Sequence, residues 1–251
     1  MCAIAGVCRD WAMITLASQP GGEHTAITET VRIDRDGLGV DAPPYLRATA
    51  DELHVDLGPG LHARFENARG WPRRPFGPLG PAQMIPWLGQ YWAPHLLSAT
   101  ATGRFGDRDL HGTQVYAEKN WGAAFADHWW WGQGEGVAFA GGRIHGVAPT
   151  AVVAWTPDGL VSLAPPLART VARAGGGEWH IRAQSPRWRV EIEGEASDPL
   201  LLPVPLPRER RLEIRSRHHL LGRIAVTVHR GRRLWLRSEG LAGLEDGATP
   251  A

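Results

Sequence analysis

The residue types best suited to chemistry crowd into one stretch, Val115-Tyr116-Ala117-Glu118-Lys119-Asn120-Trp121-Gly122, followed by Phe125, Trp129-Trp130-Trp131-Gly132 and Gln133. Lys119 is the single lysine among 27 Lys and Arg residues. Read as a strand, the stretch puts Tyr116, Glu118 and Asn120 on one face and Lys119 and Trp121 on the other. One face is then polar inside a Trp-rich neighbourhood. A phenol, an acid and an amide side by side could hold and orient a polar group of a ligand. Equally, Glu118 and Lys119 could be the charges of a salt-bridged strand beside a Trp-filled core. The residues alone leave both readings open.

Other candidates are weaker. Met1-Cys2-Ala3-Ile4-Ala5-Gly6 resembles the start of N-terminal-cysteine glutamine amidotransferases, in which loss of Met frees a nucleophilic thiol. Those enzymes usually carry Gly where Ala3 stands, and their downstream motifs are missing, so the segment reads as a first strand with a core cysteine. The 11 histidines form no His-Glu-x-x-His, and two cysteines near one end cannot make a zinc knuckle; no metal is expected. His218 and His219 are adjacent and face opposite ways on a strand. Gly175-Gly176-Gly177 reads as a hairpin rather than a phosphate loop.

The elements that must position these residues read as strands. Alternation recurs over Thr25 to Ile33, Leu53 to Leu57, Leu61 to Phe65, Glu178 to Ala183, Trp188 to Ile192, Arg211 to Arg215, Ile224 to Val228 and Leu234 to Leu236. In the Trp188 run, Trp188, Val190 and Ile192 fall on one side, and Arg187, Arg189, Glu191 and Glu193 on the other, as in a half-buried antiparallel strand. Pro157-Asp158-Gly159 predicts a hairpin turn. Two Pro-rich stretches, Trp71 to Pro86 and Asp198 to Pro207, read as irregular connectors. No segment carries a long helical stripe with caps. The expected class is all-β.

Composition agrees. Gly 31 and Pro 20, about a fifth of 251 residues, disfavour long helices. A 43% apolar content suits one large or two smaller β domains. The net charge of +1 gives no general pull toward nucleic acid. Twelve Trp against 3 Tyr and 5 Phe imply a core or a pocket wall. Cys2 and Cys8 would lie roughly 20 Å apart on a strand, beyond disulfide reach. With no signal-peptide pattern and no apolar run of membrane-spanning length, a cytoplasmic protein is expected.

The motif residues resemble the tocopherol cyclase family. Its Glu-Lys-Asn-Trp-Gly (or Glu-Lys-Asp-Trp-Gly), Phe-Pro and Trp-x-Trp-x-Gln pattern is matched by Glu118, Lys119, Asn120, Trp121, Gly122, Phe125, Trp129, Trp131 and Gln133, and its Pro-rich lead-in by Pro86-Trp87-Leu88-Gly89-Gln90-Tyr91-Trp92. The likeness runs from about Trp71 to the C-terminal strands. Departures are Ala126 for the usual Pro, Gln90 where many relatives have Glu, and the lack of a Gly-Trp-Tyr-Phe-like strand in front, so the first half reads as shortened.

The resemblance implies lipocalin-like antiparallel barrels in two β halves packed together: residues 1–146, holding the motif, and residues 147–251. It implies a cyclase that closes a chromanol ring from a prenylated quinol, with no metal or redox cofactor. An acid must protonate the prenyl alkene, and a low-dielectric site can keep a carboxyl protonated for this. Glu118 is the first choice of acid and Asp127 the second, with Lys119 orienting a quinol oxygen or a distant carboxylate. Asn120, Gln133 and Tyr116 would bind ring hydroxyls. Trp121, Trp129 and Trp131 would stabilise the cation through their ring faces, and Tyr91 and Trp92 would complete the pocket. The partner expected is a small hydrophobic substrate, collected by peripheral membrane contact, not nucleic acid. Alternatives are a non-catalytic binder of a prenyl lipid, quinone or carotenoid, and a related polyene hydratase or cyclase.

Overall fold

A computed structural model describes the chain except for residues 35–36, 73–76, 86–88, 123–124, 145 and 250–251. Pro75, Pro86, Trp87 and Leu88, used in the sequence reading, lie outside the described residues. The fold is all-β and lipocalin-like, in three antiparallel sheets that follow one another along the chain.

The first sheet holds β1 (Cys2–Val7), β2 (Ala12–Ser18) and β3 (Gly22–Thr28) in that order. The second is a meander of β4 (Arg32–Ile33), β5 (Val40–Ala42), β6 (Leu46–Ala48), β7 (Glu52–Val55), β8 (Leu61–Gly70), β9 (Gln90–Phe105) and β10 (Arg108–Asp109), with β11 (Thr113–Gly122) also paired to β9. The third contains β12 (His128–Gly134), β13 (Val137–Arg143), β14 (Thr150–Thr156), β15 (Gly159–Leu163), β16 (Arg169–Gly175), β17 (Glu178–Gln184), β18 (Trp188–Glu195), β19 (Leu200–Leu206), β20 (Arg211–Arg230) and β21 (Arg233–Ala248). Its order is β15-β14-β13-β12-β21-β20-β18-β17-β16, with β19 paired to β20.

Alternation works as expected in β17, where Trp179, Ile181 and Ala183 are buried and Glu178, His180, Arg182 and Gln184 are exposed. The Pro157-Asp158 turn joins β14 to β15, and the Gly176-Gly177 turn joins β16 to β17. Three expectations change. The run Thr25 to Ile33 breaks after Thr28, whose hydroxyl donates to the Pro43 carbonyl at 2.7 Å and accepts from the Thr30 N–H at 3.2 Å. Such a side-chain turn diverts the backbone from the ladder. Arg211 to Arg215 and Ile224 to Val228 belong to one 20-residue strand, because no proline lies between them and an irregularity between His219 and Gly222 absorbs the mismatch. The Pro-rich connector after Asp198 is strand β19; among the described residues it pairs only with β20, and a strand with one partner tolerates the missing N–H of Pro203 and Pro205.

Two compact units emerge, each discontinuous in sequence: residues 1–70, 95–118 and 200–215 form the first; residues 71–94, 119–199 and 216–251 form the second. Position 146/147 falls inside the second unit. The first unit centres on Ala12, Ile14, Leu16, Val55, Leu61, Ala101 and Phe105. The second centres on Trp130, Phe139, Val152, Trp179, Ile181, Ile192, Val226 and Leu244. Cys2 and Cys8 are free thiols, Cys8 buried, with its thiol pushed up by burial. No helix among the described residues is long and apolar enough to cross a membrane.

Candidate functional site

The Trp-x-Trp-x-Gln run forms β12, and antiparallel pairing places it beside the last strand: Trp129 opposite Gly247, Trp131 opposite Glu245 and Gln133 opposite Gly243. On the far side of β21, Ser216 of β20 lies opposite Gly247 and His218 opposite Glu245. A period of two therefore brings Trp129, Trp131, Gln133, Gly243, Glu245, Gly247, Ser216 and His218 to one face of three adjacent strands. All belong to the second unit. Gly247 is what makes room for the Trp129 indole: a Cβ there would fall 2.0 Å from Cζ2 of Trp129, whereas one on Gly243 would rest in ordinary contact, 3.4 Å from Cζ3 of Trp131.

Glu245 is the centre of this face. Trp129 Nε1 donates to its Oε1 at 2.7 Å, the Ser216 hydroxyl donates to the same oxygen at 2.9 Å, and His218 Nδ1 lies 3.2 Å from Oε2. Trp131 stacks on the His218 ring, with centroids 5.7 Å apart and planes 29° apart. The His218 side chain is 7% exposed and that of Glu245 19%. Burial pushes the Glu245 carboxyl up, but the hydrogen bond and charge of His218, with the donors Trp129 and Ser216, outweigh it and hold it below the ordinary value. The arrangement is an anionic carboxylate gripping an imidazole beneath an indole wall. It can hold a proton on the ring and present it to a neighbouring group.

The opposite face of the same strands is structural. Trp130, opposite Asp246, packs into the core and donates Nε1 to Thr150 Oγ1 at 3.0 Å. Asp246 is fully buried and paired with Arg217, whose guanidinium is held charged by that hydrogen bond. His219 faces this side, edge-on to Trp179 at 5.3 Å, so the two adjacent histidines do point apart.

The other sequence-predicted residues fall into smaller groups. Tyr116 donates its hydroxyl to Glu118 Oε2 at 2.7 Å, both half-buried on one face of β11 within the first unit. Tyr91 stacks on Trp121 at 5.5 Å and 15°, with Trp121 41% exposed. Trp92 is buried, Lys119 and Gln133 half-buried, and Asn120 and Asp127 exposed. Asp127 serves the fold through its backbone, which bonds to Arg143 and Thr249. Phe125 tilts against Trp129 at 5.3 Å. A hollow of about 660 Å³ in the first unit, lined by Ser18, His24, Phe105 and Arg108 among others, contains none of these residues.

A family model described as tocopherol cyclase-like matches residues 99–248, more than half of the sequence. The chain belongs to the tocopherol cyclase-like family. Its matched segment spans both Glu118 and the Trp129–Glu245–His218 face. No curated protein sequence matches. Among solved structures, kievitone hydratase from Nectria haematococca is similar with a TM-score of 0.53 and 11% identity, over 98% of this chain and 83% of that one. An AttH-like protein from Nitrosomonas europaea is similar at 0.42 and 14%, over 96% and 84%. At 11% identity the likeness to the hydratase is one of fold.

Sequence reasoning found Trp129, Trp131 and Gln133 but not Glu245, Ser216 or His218 as their partners. The available signal was Gly243-x-Glu245-x-Gly247, a carboxylate between two bare positions on one face of a strand, which leaves space for large rings on the next strand.

Proposed function

We propose that this protein protonates an unsaturated, prenyl-type substrate and lets an oxygen nucleophile capture the resulting cation, with closure of a chromanol ring on a prenylated quinol as the specific reaction. The carrying observation is the His218–Glu245 pair on the face walled by Trp129 and Trp131. His218, as imidazolium, gives its proton to the alkene carbon that leaves the more substituted cation. Glu245 keeps the ring charged and oriented until then. The faces of Trp129 and Trp131 shield the cation from water, an interaction worth about 2 kcal/mol per ring when desolvated. The phenolic oxygen forms the new C–O bond and its proton returns to His218. Atoms and charge balance without a co-reactant, so the net change is an isomerisation. Capture by water instead would make the same site a hydratase. Family membership supports this class of chemistry, and the fold neighbour described as a hydratase fits the second outcome.

The Tyr116–Glu118 pair carries the other assignment, in which Glu118 is the acid. Incubating the protein with a panel of prenylated quinols and assaying chromanol and hydrated products tests both. Glu245→Gln and His218→Asn are expected to lower kcat about 10²–10⁴-fold, the usual contribution of a positioned general acid, with substrate still bound. Loss in Glu118→Gln with His218→Asn unaffected would return the acid role to Glu118. Absence of any product, with binding retained, would favour a carrier of prenyl lipids or quinones.

A further inference from the structure

Far from the Glu245 face, three turns of the second unit meet. Arg230 Nη1 bonds Asp158 Oδ2 at 2.6 Å, tying the β20 end to the β14–β15 turn, and the Gly231 N–H donates to the Arg187 carbonyl at 2.9 Å, tying the β20–β21 turn to the chain entering β18. Here Trp188 and Trp235 sit edge to face, with centroids 6.5 Å apart. Arg187 and Arg230 lie over Trp188 at 5.7 and 5.6 Å, and Arg230 and Arg233 both lie over Trp235 at 5.2 Å. Arg187, Arg232 and Arg233 are exposed, and Leu234 beside them is 52% exposed. Asp158 is engaged by Arg230, and among the described residues no acid pairs with Arg187, Arg232 or Arg233.

We propose that this turn cluster, centred on the β20–β21 hairpin tip, docks onto an anionic lipid surface. The chain as a whole has a net charge of only +1, so Arg187, Arg232 and Arg233, gathered around the Arg230–Asp158 pair at one end, make a local positive surface that the overall balance conceals. Guanidinium groups pair with phosphate oxygens in forked geometry. Half-buried indoles suit the headgroup layer, where an aromatic body meets both apolar and polar surroundings. The arginine stacks hold both rings in place before contact. Leu234 adds an apolar side chain at the tip, which serves insertion into lipid and has no use on a face that only binds dissolved anions. Attraction of this kind grows with each basic residue near the surface and fades with salt.

Co-sedimentation of the full chain with vesicles of phosphatidylcholine, alone or mixed with phosphatidylglycerol, tests this independently of any catalytic activity. Binding to the mixed vesicles at low salt, release at high salt and a blue shift in Trp emission are expected. The double variant Arg232→Glu/Arg233→Glu should partition at least tenfold less, and Leu234→Ser should lose the blue shift, each with an unchanged circular dichroism spectrum. A control, Arg169→Glu/Arg173→Glu on the exposed side of β16, should bind like the parent. A parent that stays in solution with anionic vesicles, or a control that loses as much as the tip variant, overturns the proposal. So does a single-stranded oligonucleotide that binds as tightly through the same arginines.

Discussion

Glu245 and Asp246 are neighbours with opposite surroundings, and the difference lies in what faces them across the sheet. Asp246 meets an arginine and becomes the buried half of an ion pair whose guanidinium reaches solvent; Glu245 meets a histidine, a serine and an indole N–H and becomes the hub of a polar network in an aromatic wall. Because the folded carboxyl of Glu245 titrates below its ordinary 4.5, the stability it contributes is fully present above that pH and is lost as the pH falls through the lower folded value. Glu245→Gln should therefore flatten the acid limb of the stability curve, measured by urea midpoints between pH 3 and 6 (about the range in which an ordinary carboxylate titrates). His128 pushes the same way. Burial lowers its pKa from 6.5, against the raising effect of Asp246, so the unfolded chain takes up a proton first and stability falls as the pH drops below 6.5. His128→Gln should remove that decline. None of this was readable from residue types: a glutamate and a histidine 27 positions apart carry no local mark of contact.

At the scale of elements, the period of two was legible wherever one face was buried and the other wet, as in β17 and β18, and it correctly put Tyr116 with Glu118. Register was not legible, because it depends on which strand lies beside β12, and that neighbour is β21, more than a hundred residues later. Nor was β19, since proline reads as a breaker until the strand is known to have one partner. The glycine spacing of β21 gives a direct test. Gly247→Ala must drive Trp129 off its seat, breaking the bond to Glu245, and should cost about 1–3 kcal/mol as overpacking as well as most of the activity. Gly240→Ala, where the added methyl meets nothing within 4 Å, should leave activity unchanged. Chemical denaturation and turnover on the same preparations check both.

For the whole molecule, strand alternation, turn chemistry and the Gly and Pro content were enough to give the all-β class, whereas the division into units was hidden because each is assembled from three separated segments. Each unit has its own core. Ile192, 1% exposed in the second, should cost about 2–5 kcal/mol when cut to Ala, seen as a lower urea midpoint with little change in slope.

The hairpin that joins β20 to β21 has a consequence for how such chains can change over time. Its two-residue tip, Gly231 and Arg232, together with the register shifts at Val228/His229 and His219/Gly222, fixes which of two consecutive acids looks toward the indoles. One codon added there, unless a bulge swallowed it, would turn every later side chain over. The shorter acid would then be handed to the aromatic wall and the longer one pushed into the grease. At this corner a change in length rewires the chemistry while every chemical group is still in the sequence.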